Sequence, residues 1–208
     1  MTAIVTRRLA LLASLAPALA ACSGGAKPAG PVPDDMSLGN PAAKVTVVEY
    51  ASVACPVCGR WYKEVWPAFR AKYVDTGKIR YIAREMLVGD ASEVAIAASG
   101  FLLARCVGKD KYFAVTDAIY QSQPGLYNDP SGTLLGIAKK FDLSEAQFDA
   151  CVRDEAALNA LSLRVANNAR IGHVDSTPTF VINDKALDAG YQTLATLDAA
   201  IAQAGAAK

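Results

Sequence analysis

The sequence predicts an α/β domain in which a small sheet is interrupted by a helical insertion, and three observations lead to this fold class. The runs Val45–Ala51 and 78–85 are β-branched and aromatic, as buried strands are. Four helical patterns then follow with no strand between them. Strand character returns only at Thr179–Ile182, so the sheet draws on both ends of the domain and the helices come from its middle.

The remaining elements follow from periodicity and end signals. Residues 60–72 are apolar at helical spacing, and Ser144 with Gln147 forms a capping-box pair at the start of the last inserted helix. Asn183 and Asp184 predict a hairpin turn. The four inserted helices are predicted at 92–107, 111–121, 131–141 and 144–169, and the last strand and helix at 185–187 and 193–204. We therefore predict a sheet domain over 41–84 and 176–208 and a helical insertion over 85–175.

Composition limits the function. The chain has 208 residues, 52% of them hydrophobic and 20% charged, with a formal net charge of +1. These values are typical of a globular domain, and without a basic stripe we expect no nucleic-acid partner. A chain of this length buries a sizeable core without disulfides, so its five cysteines need a more specific explanation.

The first residues predict export. Arg7 and Arg8 precede an apolar stretch at 9–20 that is short for a membrane span and ends in small residues, which indicates a secretory signal peptide over 1–21. Cleavage after Ala20 would suit an ordinary signal peptide, but the residues up to Cys22 also resemble a bacterial lipobox, so we expect Cys22 to be lipidated. Residues 22–40 are rich in Gly, Pro and Ala and predict a flexible linker that tethers the domain to a membrane of the bacterial periplasm.

The other four cysteines form a distant and a close pair. In an exported protein, Cys106 and Cys151 are expected to form a structural disulfide, since closing so long a loop restricts the unfolded chain by roughly 4 kcal/mol in the chain-entropy model. A bridge between Cys55 and Cys58 restricts the unfolded chain little, so its purpose is expected to be chemical. A zinc site using these thiolates and His173 is the alternative, but the distant pair lacks the short spacing of zinc ligands.

The close pair lies where the first strand meets a helix. Pro56 fits the first helical turn, and Cys55 at the N-cap places its sulfur near unpaired backbone N–H groups and the positive end of the helix dipole. Such surroundings stabilise a thiolate, the attacking species in disulfide exchange. Cys58, one turn further in, is the predicted resolving thiol.

Two runs, VVEYASVACPVC and STPTFVIN, together resemble the DsbA-like branch of the thioredoxin superfamily, over a match from Val45 to the end of the chain. The resemblance implies a thioredoxin fold with an inserted helical domain, an exchangeable Cys55–Cys58 disulfide and a cis peptide between Thr177 and Pro178. It implies a protein thiol-disulfide oxidoreductase, expected to be an oxidase, with isomerase and dedicated reductase as alternatives and a tethered binding module as a further one. The expected partners are reduced or misoxidised exported proteins and a membrane redox partner, with no cofactor or metal.

Three more residues gain a predicted role from this resemblance. Thr177 and Pro178 are expected to bind substrate, because Pro178 offers no N–H to the sulfurs and the backbone of Thr177 can pair with an extended chain. Glu49 shares a strand face with apolar residues, and a buried carboxyl with a raised pKa near Cys58 would relay the resolving thiol's proton. A Glu49 that reaches solvent at the strand end is the alternative. Val57 replaces the histidine of strongly oxidising relatives, which predicts a milder oxidant.

Overall fold

The computed structural model describes residue 32 and residues 34–206, so the predicted signal peptide and Cys22 lie outside the described residues. Within them, one sheet has the strand order β1-β3-β2-β4-β5. The strands are β1 (Met36–Gly39), β2 (Val45–Ala51), β3 (Ile79–Glu85), β4 (Thr179–Ile182) and β5 (Lys185–Ala186). β2 and β3 run parallel, and the other neighbouring strands pair antiparallel. β2 therefore lies at the centre of the sheet, where the active-site sequence begins.

The helices flank the sheet and fill the predicted insertion. Two short helices and a π-helical turn follow β2, six helices and a 3₁₀ turn lie between β3 and β4, and one helix follows β5. They are α1 (Pro56–Glu64), α2 (Trp66–Phe69), the π turn Arg70–Val74, α3 (Ala91–Val107), the 3₁₀ turn Lys109–Lys111, α4 (Tyr112–Gln121), α5 (Gln123–Asn128), α6 (Pro130–Lys140), α7 (Glu145–Val152), α8 (Glu155–Gly172) and α9 (Leu194–Ala206). The α/β sheet with helices inserted between two of its strands is the architecture that the sequence predicted.

Side-chain alternation along β2 divides the core between the two faces of the sheet. Val47 belongs to the larger cluster, which packs against Trp61 of α1 and the inserted helices. Val48 and Tyr50 point to the opposite face and pack in a smaller cluster with Val174, just after α8. Glu49 therefore points, like Val47, into the larger core, and this is the face that carries α1 and its cysteines.

The insertion is attached to the sheet by a buried carboxylate. Glu85, the last residue of β3, accepts hydrogen bonds from Arg105 Nε of α3 at 2.6 Å and from Arg164 Nε of α8 at 3.1 Å. Helix α3 itself begins with a capping box in which Asp90 and Glu93 satisfy each other's backbone N–H groups. The start of the insertion is therefore fixed both within its first helix and against the sheet.

The predicted flexible linker over 22–40 is wrong at its C-terminal end. Residues 36–39 form β1, which pairs antiparallel with β3, and Asp35 forms an ion pair at 3.0 Å with the buried Arg84. The strand is only four residues long, and its partner lies some forty residues further along the chain, so local composition gives little sign of it. Gly39 ends β1 at φ +80°, where an added Cβ would lie 2.4 Å from the carbonyl oxygen of Ile79.

Two predicted helices are divided, and one helix was not predicted. The helix predicted over 60–72 breaks at Val65, because Pro67 occupies the first turn of a new helix. The helix predicted over 144–169 ends after Val152, since the Asp154 side chain accepts from Ala157 N at 2.9 Å and caps α8. The missed helix is α5. The Ser144–Gln147 capping box is confirmed.

Among the described residues, no single helix combines the length and apolar composition needed to cross a membrane. One bent pair, Ala91–Val107 with Lys109–Gln121, meets both criteria only when the two are taken together across a bend of 120°. The first of these helices buries eight of its residues in the core.

Candidate active site

Cys55 and Cys58 lie at the N-terminus of α1, directly after the central strand. Cys55 is the N-cap with extended backbone angles, and Pro56 occupies the first turn, where a missing N–H removes no helical hydrogen bond. Both cysteines are free thiols; Cys55 is partly exposed and Cys58 is fully buried. Gly59 allows the approach of a neighbouring side chain, because an added Cβ there would lie 1.8 Å from Gln123 Oε1.

The two thiols differ sharply in acidity. A hydrogen bond from the Cys58 thiol, with further ones from the Thr177 side chain and the backbone N–H groups of Cys58 and Val57, lowers the pKa of Cys55 to about 6 although partial burial opposes this. Burial raises the pKa of Cys58 well above its usual range, and the hydrogen bond to Cys55 and the charges of Cys55 and Glu49 add to this. At neutral pH the exposed sulfur is therefore a thiolate and the buried sulfur a thiol.

The segment before β4 closes the other side of the pair. The Thr177–Pro178 peptide bond is cis, and Cys55 Sγ lies 3.5 Å from the backbone oxygen of Thr177, to which Cys55 donates in its protonated form. Pro178 is buried, and so is the Thr177 hydroxyl, which lies near the Cys55 sulfur. The sequence predicted that Thr177 and Pro178 lie beside the reactive sulfur, and in the structure they do.

Glu49 lies in the core beneath the cysteines and does not reach solvent. The carboxyl is 1% exposed, and its Oε2 accepts a short hydrogen bond from the Tyr81 hydroxyl. Burial raises the pKa of Glu49 to about 8; the Tyr81 bond works against this and the Cys55 charge adds to it. The alternative of a Glu49 that reaches solvent at the strand end is thus wrong, and the proton-relay role of Glu49 stays a prediction.

The inserted helix α5 contributes contacts that the sequence did not reveal. Gln123 Nε2 donates to the backbone oxygens of Val53 and Cys55, at 2.9 Å each, and the Tyr127 hydroxyl donates to that of Ala54 in a short bond. Gln123 is buried, while Tyr127 is 47% exposed beside the cysteines. Nothing in the sequence near α5 signals these contacts, because they depend on how the insertion folds back over the active-site turn.

The distant cysteine pair is bonded and lies on other elements. Cys106 of α3 and Cys151 of α7 form a disulfide with their Cα atoms 5.8 Å apart. Bonded sulfurs supply no thiolate for zinc, and His173 is exposed at the end of α8. No cluster of three or more His, Cys, Asp or Glu side chains suited to a metal ion occurs in the part of the chain that the structure describes.

Comparison with known proteins gives consistent matches. The family model described as Thioredoxin matches residues 32–203. A protein named as a protein-disulfide oxidoreductase from Rickettsia typhi is 30% identical over 153 residues, which cover 72% of this chain and 55% of the relative. The crystal structure of alpha-DsbA1 from Wolbachia pipientis superposes with a TM-score of 0.74 at 26% identity, covering 84% of this chain and 92% of that one.

A more distant structure agrees in fold alone. DsbA from Chlamydia trachomatis has a TM-score of 0.69 at 17% identity, covering 84% of this chain and 93% of that one. The chain spans little more than half the length of the curated rickettsial relatives, 57% for the one from Rickettsia bellii. The predicted DsbA-like resemblance and the fold class, a thioredoxin fold with an inserted helical domain, are confirmed.

Proposed function

Because the chain belongs to the thioredoxin family, we propose that it is an exported protein thiol-disulfide oxidoreductase that forms disulfides in protein substrates. Cys55 and Cys58 are the proposed redox-active pair. The observation that carries the proposal is the opposite acidity of the two thiols: the accessible one has a pKa of about 6, and burial keeps the other protonated.

The proposed oxidation proceeds in two exchanges. A substrate thiolate attacks Cys55 Sγ of the oxidised pair, which forms a mixed disulfide and releases Cys58 as a thiolate that takes up a proton. The substrate's second thiolate then attacks its own sulfur in the mixed disulfide and displaces Cys55 as a thiolate. The substrate gains a disulfide and the enzyme gains two electrons. Because a thiol of low pKa leaves readily, the acidity of Cys55 favours this direction over substrate reduction.

Glu49 is the proposed proton carrier for the buried sulfur. Its raised pKa means that it holds a proton at neutral pH, and once it is ionised its charge contributes to the raised pKa of the Cys58 thiol. Glu49 can therefore protonate Cys58 as the sulfur leaves and recover its own proton from water afterwards.

Thr177 and Pro178 are the proposed substrate-binding residues. The backbone of Thr177 lies against Cys55 Sγ, and Pro178 has no N–H that would compete for the sulfur. An extended substrate chain that pairs with the backbone of Thr177 would place its cysteine at Cys55. Main-chain pairing of this kind gives affinity with little dependence on sequence, as a general oxidase requires.

Substitution of each thiol tests the assignment. Cys55→Ser should abolish exchange with a reduced protein. Cys58→Ser, mixed with a disulfide-bonded protein, should accumulate mixed disulfides, because the Cys55 thiolate opens the substrate disulfide and no resolving thiol follows; both are measured by mass spectrometry after acid quenching. Trapping through Cys58 in the Cys55→Ser variant would reverse the roles. Thiol titration in glutathione buffers separates a redox pair, which titrates in the physiological range, from a structural staple, which stays oxidised throughout. Comparing reduced with scrambled substrates then distinguishes oxidase from isomerase.

Export and membrane attachment are part of the proposal and rest on residues outside the described part of the chain. The signal-like segment at 1–21 and the lipobox-like residues before Cys22 support a lipid-anchored protein of the bacterial periplasm. There it would meet reduced or misoxidised exported proteins and a membrane redox partner that reoxidises it. Cys22→Ala should move the protein from the membrane to the soluble fraction; wild-type protein that is already soluble would contradict lipid anchoring.

A further inference from the structure

The carboxyl of Glu49 has one oxygen engaged and one free. Oε2 accepts from the Tyr81 hydroxyl, whereas Oε1 is buried with no hydrogen-bond partner among the described residues. Tyr81 reaches Glu49 across the parallel strands, since its Cα lies opposite Val47, two residues before Glu49, and both side chains point into the larger core. A neutral carboxyl carries its proton on one oxygen only, and the oxygen that already accepts from Tyr81 is the less suitable one.

We propose that Tyr81 is a positioning residue for proton exchange at Cys58: its hydroxyl holds Glu49 Oε2 and so leaves Oε1 as the oxygen that carries and releases the proton. The inference deepens the proposed function and rests on it. When Cys58 leaves as a thiolate, the proton on Oε1 passes to Cys58 Sγ and Glu49 becomes a carboxylate, which the Tyr81 bond stabilises until water returns a proton.

The surroundings of Tyr81 keep it a fixed donor. Its ring is fully buried and contacts the rings of Trp66 at 4.8 Å, Phe113 at 6.1 Å and Phe69 at 6.2 Å between centroids. Burial, with the charge of Glu49, raises the pKa of Tyr81 well above its usual range, so the hydroxyl keeps its proton at every pH at which the enzyme works. The ring therefore has little freedom to turn the hydroxyl away from Glu49.

The other groups near Glu49 do not replace this bond. Titratable side chains that face it from the packed elements are Cys55 at the N-cap of α1, Cys58 and Tyr62 of α1, Tyr81 of β3, and Tyr112 and Tyr120 of α4. Arg84 directs its guanidinium to Asp35 and Tyr50, at 2.8 to 3.1 Å. Among these groups of the described chain, Tyr81 is the one that hydrogen bonds to the Glu49 carboxyl.

The test is a Tyr81→Phe variant, which keeps the ring and removes the hydroxyl. The pKa of Glu49, measured by carbon NMR titration of the reduced protein, should rise by about one to two pH units. This is the size expected for losing a hydrogen bond to an ionised group. The pH at which Cys58 displaces glutathione from Cys55 at half its maximal rate should rise by the same amount. In a Glu49→Gln background, adding Tyr81→Phe should leave that pH profile unchanged.

Tyr73→Phe is the matched control, because it also removes a tyrosine hydroxyl bonded to a carboxylate, that of Asp198 at 2.6 Å, at a site away from the cysteines. It should leave the Glu49 titration unchanged. If Tyr81→Phe does not fold, a fluorinated tyrosine at position 81 keeps the ring and makes the hydroxyl a stronger donor, and it should shift the titration downward.

A Tyr81→Phe titration that matches wild type, or a fluorinated variant with no downward shift, would overturn the inference. The NMR titration needs no redox activity. If the wild-type pair never exchanges with glutathione, the proposed function fails, while the Glu49 titration still shows whether Tyr81 positions the carboxyl.

Discussion

The buried carboxyl of Glu49 should make the protein less stable as pH rises, and Glu49→Gln should remove this dependence. Below pH 4.5, the ordinary pKa of a glutamate, both folded and unfolded states hold the proton and the group has no effect. As pH rises the unfolded state ionises first, because burial raises the folded-state pKa to about 8. The folded state then binds more protons than the unfolded state, so stability is lost throughout this window.

The size of the effect follows from the width of the window. Each pH unit between the two pKa values costs about 1.4 kcal/mol, so stability falls by at most about 4 to 5 kcal/mol as the folded state ionises towards pH 8. The loss is smaller in the disulfide form, where Cys55 carries no charge that raises the pKa of Glu49. Glutamine fits the same space and keeps an acceptor for Tyr81. Its amide leaves a donor unpaired at the position of Oε1, at a cost of about 1 to 3 kcal/mol that does not vary with pH. The test is therefore how the difference in unfolding free energy between the two proteins changes with pH, and not the constant part of that difference.

Urea unfolding of the two proteins at half-unit steps between about pH 5 and about pH 8 measures this change. Both are studied in the oxidised state, because Cys55, whose pKa is lowered, would otherwise stabilise the reduced folded state with rising pH and mask the loss from Glu49. The difference in unfolding free energy between Glu49→Gln and wild type should grow steadily with pH. Parallel curves would show that Glu49 ionises in the folded protein near its ordinary pKa, and the proton-carrier role would lose its basis.

Two further substitutions probe the active-site turn. Val57→His places a side chain that can carry positive charge beside Cys55, so we expect a lower thiolate pKa by ultraviolet titration and a reduction potential higher by roughly 30 mV per 1.4 kcal/mol; identical thiolate titrations would contradict this. Gln123→Ala removes the side-chain donor to the backbone oxygen of Val53, while that of Cys55 keeps its bond from Gly59 N at 3.0 Å, and it should lower the unfolding free energy by about 1 to 3 kcal/mol. Asn128→Ala, on the exposed side of the same helix, is its control, and equal losses would refute a specific role for Gln123.

Local patterns were enough to predict much of the fold. The strand at Val45–Ala51 agrees residue for residue, since its β-branched run is unambiguous in sequence. Alternation along that strand also placed Glu49 in the core, although a single strand cannot show what faces it. The partner, Tyr81, depends on the parallel register of two strands, which the sequence does not specify. Gln123 was missed for a similar reason, because its bonds to the active-site turn join residues about seventy positions apart.

The order of the two shifted acidities argues for an oxidase. At pH 7 Cys55, with a pKa of about 6, is mostly ionised in the reduced protein, while Glu49, with a pKa of about 8, is mostly protonated. A protonated Glu49 is ready to protonate Cys58 when a substrate thiolate opens the disulfide. Reduction of a substrate instead requires Glu49 as a carboxylate that takes the proton from Cys58. At pH 7 Glu49 is ionised in only about one molecule in ten. The rate of substrate oxidation should thus fall above pH 8 relative to the rate of substrate reduction. A constant ratio of the two rates would show that the ionisation of Glu49 does not influence which reaction is faster.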